Sequence, residues 1–498
     1  MPSMVEAFGS QYPSRPIPGR SVGARTMPSV GSLPRPERTC GVGCPAMTRA
    51  SRDERRSDEG GPVRAAPDVE RPPDVPPPDP DAIVDVADVR VPRGHQVVCV
   101  SDLHLRPDRT DASGWAVPQL VRALDAFEGP GTLLLLGDVL EMWFVQPPDG
   151  SGSLAAHEDL VAAVDRFRSG PARTVIYVIG NHDARLAWDG VLLETIRDRL
   201  RCVFAFSAEL IPDGSGRRVL VEHGHAHDPA NAFRDPRDPR ESPLGMHLVE
   251  EVLPELAFAQ RGVLDGVEGL ANPRTFPGFL SSRYFYRRLL GVAGWIVVPL
   301  ALVYLARLAA SMALVLSGNE RLGLDAALGA RFIGLDAAQL GVLLAVSFLA
   351  VHAARRRWRE GESAVASRRG TTQNANTRDA ARDLVARGGY AGMVAGHTHH
   401  CELSEVPGGF YANTGSCTRV IDRVRARFRL PAVYLPRLQL SWIVLECEDD
   451  WSVRLFAARR TSEGASRLER LATAPDARGL ATDPVEVARW PDGPLLPE

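Results

Sequence analysis

Five short apolar segments, each ending at a side chain that can bind a metal, limit what this chain can fold into. Each is rich in aliphatic or β-branched residues, as a buried strand is, and helical segments separate them. Strands that alternate with helices predict an α/β sheet, and such sheets gather ligand groups beyond the carboxyl ends of their strands. We therefore expect the five ends to meet at one site. They read VVCVSDLHL (Val97–Leu105), LLLLGDVLEMW (Leu133–Trp143), VIYVIGNHD (Val175–Asp183), VLVEHGHAHD (Val219–Asp228) and MVAGHTHH (Met393–His400).

The residues at these ends have the chemistry of a divalent metal site. Carboxylate, imidazole and amide oxygen suit Mn²⁺, Fe²⁺ or Zn²⁺, and two ions ~3.5–4 Å apart need a carboxylate that bridges them. Asp138 is the natural bridge. The expected cofactors are two divalent metal ions, with Mn²⁺ first and Fe or Zn as alternatives. Two ions also remove the need for a nucleophilic Ser or Cys.

Each segment taken alone has a simpler explanation. A Gly-Asp after a strand is often a turn, Gly-Asn-His-Asp can be a turn with a left-handed Asn, and a single His after a strand is usually structural. The series of five, each directly after a strand-like segment, is what argues against coincidence. The segment GGFYANTGS, with Asn413 to Ser416, predicts either a loop near the site or a tight turn.

In order, Asp-x-His, Gly-Asp, Gly-Asn-His-Asp, His-Gly-His and Gly-His-x-His resemble the calcineurin-like metallophosphoesterase superfamily over about residues 95–228 and 385–457. The resemblance implies a four-layer α/β/β/α sandwich with the metals at the edge between its sheets. It implies that His182 lies outside the metal shell, near the phosphate, where it stabilises the transition state or protonates the leaving oxygen. The implied ligands are Asp102, His104 and His399 for the first metal, Asn181, His223 and His397 for the second, and Asp138 as the bridge.

Within that superfamily, SDLHL, GDVLEMW and HGH are similar to the branch that contains the UDP-2,3-diacylglucosamine hydrolases. Those enzymes usually have Arg where this chain has His182, which puts their substrate in doubt here but leaves the phosphoester chemistry unchanged. Glu141 has two readings from the sequence: it orients His182 by a hydrogen bond, or it faces solvent.

The sequence divides the chain into five parts. Residues 1–93 are rich in Pro and Arg and lack an apolar period, so they predict a disordered tail. The phosphoesterase domain is expected in two parts, 94–228 and 385–457, closed by a β-hairpin within Leu440–Phe456. An insertion fills 229–384, and a polar C-terminal tail is expected over 458–498.

The insertion contains two apolar segments, Leu289–Ala306 and Ala337–Ala354, each close to the ~20 residues that cross a bilayer. Because they are apolar on all sides, they predict membrane spans, and the alternative is a helical cap packed on the domain. The flanking arginines predict that the catalytic domain lies on the cytoplasmic side of the cell membrane. These are Arg283, Arg287 and Arg288 before the first segment, and Arg355, Arg356, Arg357 and Arg359 after the second.

The expected function is hydrolysis of a phosphoester or pyrophosphate bond by metal-activated water at the membrane. The expected partner is a phosphorylated or nucleotide-linked substrate, and a lipid-linked one is suggested by the related hydrolases, which place their acyl-binding elements where this chain has its insertion. A net charge of −3 gives no field of one sign to recruit nucleic acid. The alternatives are a soluble phosphodiesterase or phosphoprotein phosphatase and, in another class, an inactive membrane-tethered scaffold.

Overall fold

The structure is a computed structural model. It describes residues 78–79, 82–145, 150–214, 216–252, 262–270, 275–316, 331–349 except 332 and 347, 352, 356, 374–427, 430–473 and 481–497. The predicted disordered tail therefore lies outside the described residues up to position 77.

One mixed sheet of thirteen strands organises the described chain. Its strand order is β13-β12-β11-β2-β3-β4-β5-β6-β7-β9-β8, while β1 pairs with β5 and β10 pairs with β11. The strands are β1 Ile83–Val91, β2 Gln96–Val100, β3 Gly131–Leu136, β4 Arg173–Val178, β5 Val203–Pro212, β6 Arg218–Glu222, β7 Tyr390–Ala395, β8 Glu402–Val406, β9 Gly409–Asn413, β10 Arg419–Val424, β11 Val433–Cys447, β12 Trp451–Thr461 and β13 Val485–Trp490.

Helices cover both outer faces of this sheet. The α-helices are α1 Asp111–Asp125, α2 Gly150–Ala156, α3 Glu158–Arg168, α4 Gly190–Leu200, α5 Leu244–His247, α6 Phe276–Tyr284, α7 Leu290–Leu316, α8 Ala375–Ala386 and α9 Arg467–Ala472. Short 3₁₀ helices cover Ala184–Ala187, His225–His227 and Val267–Gly269, and π-helical turns cover Leu248–Val252 and Phe285–Leu289.

The sheet folds over so that its two arms pack face to face. Strands β2 to β5 are parallel to one another, but β6 pairs antiparallel with β5, and β7 runs parallel to β6. One apolar core joins the inner faces of both arms, with Val97 and Leu134 from one arm and Val221 and Phe410 from the other. A second core lies between the first arm and helices α1, α3 and α4, and a smaller one lies between α8 and the second arm. The packing order is thus helix, strand, strand, helix.

Secondary structure of the domain extends across three of the predicted boundaries. Strand β1 belongs to the sheet although it precedes residue 94, because Ile83, Ala87, Val89 and Val91 are buried against β5. The expected C-terminal tail is also part of the sheet: β12 continues to Thr461 and β13 pairs with it. Helix α8 begins within the predicted insertion but packs on β7 and β9. In each case the alternating or amphipathic pattern in the sequence is too short to be recognised alone. The apolar side chains of these elements are buried only by contacts with distant parts of the chain. The predicted closing hairpin is present as β11 and β12.

The two apolar segments do not support the prediction of membrane spans. In the part of the chain that the structure describes, no helix is long and apolar enough to cross a membrane. The first segment lies in α7, which contains Pro299 and Arg307. At the second segment, the described residues 333–346 and 348–349 are helical.

The base of the insertion is joined to the C-terminal part of the domain by buried charges. Arg283 is only 1 % exposed and lies 3.5 Å from the carboxylate of Glu469, and Arg287 lies 3.2 Å from the same carboxylate. The hydroxyl of Tyr286 donates a hydrogen bond to the carbonyl of Pro431 at 2.6 Å. Two of the arginines that the sequence assigned to a membrane flank therefore hold the insertion against the domain.

Candidate metal centre

The predicted site residues lie in tight turns that directly follow strands. Asp102 and His104 follow β2, Asp138 follows β3, and His397 and His399 follow β7. Among the described residues, seven that are not glycine have positive φ, and these five are among them, with φ between 45° and 70°. This left-handed conformation is unfavourable for most side chains and recurs at functional sites. The left-handed turns therefore hold these metal-binding side chains in positions that an ordinary backbone conformation would not give them.

Two glycines let these turns approach one another closely. A Cβ at Gly137 would collide with the ring of His223, and Gly137 has a φ of 77°. A Cβ at Gly180 would collide with the carboxylate of Asp138. The Gly-Asp and Gly-Asn pairs in the sequence thus reflect crowding around the Asp138 carboxylate.

Asp102, His104 and His399 form the first group of donors. Nε2 of His399 lies 3.1 Å from Oδ1 of Asp102 and 3.1 Å from Nε2 of His104. Within the described part of the chain, Oδ1 of Asp102 accepts no hydrogen bond of good geometry, although it is buried. Two imidazole nitrogens and a carboxylate oxygen that converge in this way, with that oxygen short of a hydrogen bond, are the arrangement expected around a cation.

Asp138, His223, His397 and Asn181 form the second group. Nε2 of His223 lies 3.2 Å from Oδ2 of Asp138 and 3.1 Å from Oδ1 of Asn181. Ligand atoms of Asp138, His223 and His397 all lie within 4.8 Å of one another. Oδ2 of Asp138 is also 3.9 Å from Nε2 of His104, so the Asp138 carboxylate lies between the two groups.

Glu141 connects the first group to His182. Its carboxylate accepts a hydrogen bond from Nδ1 of His104 at 2.8 Å and another from Nδ1 of His182 at 2.9 Å. The ring of Trp143 stacks on that of His182 with centroids 3.9 Å apart. An ionised carboxylate only accepts, so both histidines donate from Nδ1 and keep Nε2 for the site. Of the two readings from the sequence, the structure shows the hydrogen bond to His182.

His182 is also close enough to share in metal binding. Ligand atoms of His104, Asp138 and His182 lie within 4.8 Å of one another. Its backbone N–H donates to Oδ1 of Asp138 at 2.8 Å. The structure thus brings all eight predicted site residues together, and it places His182 beside His104 and Asp138.

The acidic side chains make this site attractive to positive charge. Burial lowers the pKa of His104, but Glu141, Asp138 and Asp102 raise it to about 9. Burial likewise lowers the pKa of His223, while Asp138 and then Asp102 raise it to about 10. Burial raises the pKa of Glu141, and the charges and hydrogen bonds of His182 and His104 lower it well below its usual range. Carboxylates that stabilise imidazolium so strongly are equally suited to a metal cation.

Residues outside the predicted ligand set also hold the site in place. The buried Asp183 carboxylate accepts hydrogen bonds from the backbone N–H of Val139 at 3.0 Å and of Gly180 at 2.6 Å, which ties the Asp138 turn to the Asn181 turn. The loop after β9 also contacts the site, because Asn413 donates to the carbonyl of Gly396 at 2.8 Å. The sequence placed that loop only as one of two alternatives.

The fold and the site together define a class of enzyme: a mixed α/β hydrolase with a cation-binding cluster at the ends of its strands. Residues 95–276 match the family model of the calcineurin-like phosphoesterases. The chain therefore carries a calcineurin-like phosphoesterase domain and is a metallophosphoesterase, a metal-dependent hydrolase of phosphoric esters.

Comparison with other proteins adds little beyond this family. No curated protein matches the chain. Eight solved chains match it. One of them is a Vps29 single mutant from Entamoeba histolytica, at 12 % identity and with a TM-score of 0.25, over 78 % of this chain and 98 % of that chain.

Proposed function

We propose that this enzyme hydrolyses a phosphoester or pyrophosphate bond with water activated between two divalent metal ions, on a lipid-linked substrate at a membrane surface. The observation that carries the proposal is the position of Asp138, whose carboxylate lies within 3.9 Å of His104 on one side and within 3.2 Å of His223 on the other. Asp102, His104 and His399 would hold one ion, and Asn181, His223 and His397 the other, with Asp138 shared.

The residues present fit such ions. Carboxylate, imidazole and amide oxygens converge at separations near 3.1 Å, and a buried carboxylate oxygen of Asp102 has no hydrogen bond of good geometry in the described chain. When bound, two divalent ions polarise the phosphoryl group and lower the pKa of a water between them. Mn²⁺ is the proposed metal, because hard oxygen donors are mixed here with imidazole.

The chain itself supplies a proton donor. Glu141 accepts a hydrogen bond from Nδ1 of His182 at 2.9 Å and so orients the ring, and Nε2 of His182 is the proposed proton donor to the leaving oxygen. The stacked Trp143 fixes the plane of the ring and shields it from water. The carboxylate of Asp138 also accepts a hydrogen bond from the backbone N–H of His182. The position of His182 therefore depends on that of the Asp138 carboxylate.

A lipid-linked substrate is supported by the exposed apolar surface of the insertion. Burial raises the pKa of Glu250 in its π-helical turn Leu248–Val252, and the charge of Glu141 adds to this while that of His182 opposes it. The same insertion carries α7 and the helical residues 333–346 and 348–349. Their exposed apolar side chains include Trp295 (84 % exposed), Leu302, Val342 and Phe348. Exposed apolar surface of this kind is typical of interaction sites, and a lipid surface is the proposed partner.

The first test is direct. Full-length protein purified in detergent and loaded with Mn²⁺ should hydrolyse nucleotide-linked lipids and lipid phosphates faster than water-soluble cyclic nucleotides or phosphopeptides. A chelator should abolish the activity, and Mn²⁺ should restore it. Activity that survives complete metal removal would contradict the metal-dependent mechanism. A preference for phosphopeptides would favour a phosphoprotein phosphatase instead.

A second prediction concerns the apolar helices. The double substitution Leu302→Glu and Phe348→Glu should reduce flotation of the protein with anionic phospholipid vesicles about tenfold or more, because each change places a charge against the bilayer. Both side chains are at least 60 % exposed, so folding should not suffer. The control is Leu471→Glu on α9, a position that is 69 % exposed on the domain itself.

The activity of the double variant on two kinds of substrate distinguishes a loss of lipid binding from damage to the fold. The Leu302→Glu, Phe348→Glu protein should lose rate on lipid-linked substrate while hydrolysing a chromogenic phosphodiester normally. If it floats with vesicles like the wild type, the helices do not contact lipid, and the membrane location is wrong.

A further inference from the structure

Asp228 is a partner of the site that the assigned ligands do not include. Its Oδ2 lies 3.1 Å from Nε2 of His397, and its side chain is 40 % exposed. It follows the His-Gly-His motif, at the last position before the predicted insertion. Asp228 also accepts hydrogen bonds from the backbone N–H of Ala230 at 3.0 Å and from Nδ2 of Asn231 at 2.7 Å.

The other three imidazoles of the two donor groups help to interpret this contact. His104 directs Nδ1 to Glu141 and His223 directs Nδ1 to the carbonyl of Leu136 at 2.9 Å, so both present Nε2 to the site. His399 also has Nε2 against the Asp102 carboxylate. His397 is reversed, because its Nε2 is engaged by Asp228. A ligating histidine usually donates its second N–H to a carboxylate or carbonyl, which fixes the tautomer and the ring orientation.

We propose that Asp228 is a positioning residue for the second metal: its carboxylate accepts a hydrogen bond from Nε2–H of His397 and thereby holds Nδ1 of that ring as the metal-binding atom. The proposal rests on the two-metal function proposed above. It also gives the junction with the insertion a role in the metal centre. Asn374, near the other end of the insertion, contacts the loop that carries His397. Its Nδ2 donates a hydrogen bond to the carbonyl of His400 at 3.1 Å.

Metal affinity, rather than activity, tests this role. In Asp228→Ala, one of the two bound Mn²⁺ ions should bind about 10–100-fold more weakly, as measured by chelator competition with elemental analysis. Asp228→Asn keeps an acceptor for Nε2 of His397 and should restore most of the affinity. Asn231→Ala removes a hydrogen bond within the same loop but leaves the contact with His397. It should bind both ions like the wild type, with a melting temperature similar to that of Asp228→Ala.

Each other outcome has a clear meaning. If Asp228→Ala binds both ions with wild-type affinity, the proposal fails while the two-metal function stands. If it loses one ion even at saturating Mn²⁺, Asp228 is a direct ligand and the positioning role is wrong. If Asn231→Ala weakened Mn²⁺ binding equally, the effect of Asp228→Ala would come from lost loop stability and the positioning role would be wrong. A wild-type protein that binds fewer than two ions would overturn the proposed function itself, and this proposal with it.

Discussion

Asp138→Asn should reduce turnover by at least about a thousandfold, roughly 4 kcal/mol of transition-state stabilisation. The carboxylate of Asp138 faces His104 at 3.9 Å and His223 at 3.2 Å, and a neutral amide cannot bridge two cations in its place. Asn tolerates the left-handed backbone found at this position, where φ is 51°. The variant should therefore fold, and metal content and kcat should fall together.

A matched control separates charge from folding. Asp189 is also a buried aspartate, but it caps α4 by accepting a hydrogen bond from the backbone N–H of Leu192 at 3.0 Å. Asn caps a helix as well as Asp does, so Asp189→Asn should retain wild-type activity and metal content. If Asp138→Asn retained both as well, Asp138 would not be the bridge and the two-metal assignment would be wrong.

His182→Ala should lower kcat by ~10²–10⁴ while both metal ions stay bound, the range expected for loss of a positioned proton donor. The loss should be smaller for substrates whose leaving group is a weak base, such as a nitrophenol, because these need less protonation. The geometry also allows His182 to bind a metal ion directly, and the measured metal content distinguishes the two roles. If one ion is lost, His182 belongs to the metal shell with His104 and Asp138.

Glu141→Gln tests the connection between His182 and the first group. A neutral amide orients the His182 ring less firmly and leaves His104 without its carboxylate partner, so both kcat and metal affinity should fall. In a double-mutant cycle, the effect of Glu141→Gln on kcat should shrink once His182 is already alanine. Additive effects would show that Glu141 acts on metal binding alone.

The sequence by itself determined which residues meet and what chemistry they share. A buried strand that ends in a polar turn exposes its next side chains at the edge of a sheet, and this local rule predicted five clusters at one site. Within those clusters, the family resemblance implied Asp102, Asp138, Asn181, His223 and His397 as ligands. Carboxylate, imidazole and amide side chains recur at these ends, so the class of cofactor was also predicted from the residue types. The same rule has no access to partners that lie far away in sequence, which is why Asp228 was missed and Glu141 was left open.

How the five strand ends meet was decided by the tertiary structure. Because β6 pairs antiparallel with β5, a flat sheet would put His223 and His397 at the edge opposite Asp102 and Asp138. The two arms fold face to face over a shared apolar core, and the hydrogen bond from Nδ1 of His223 to the carbonyl of Leu136 joins their ends at 2.9 Å. The membership of β1 and β13 in the sheet depends on the same long-range packing. Local periodicity specifies a strand, but only burial against distant strands decides its neighbours and its direction.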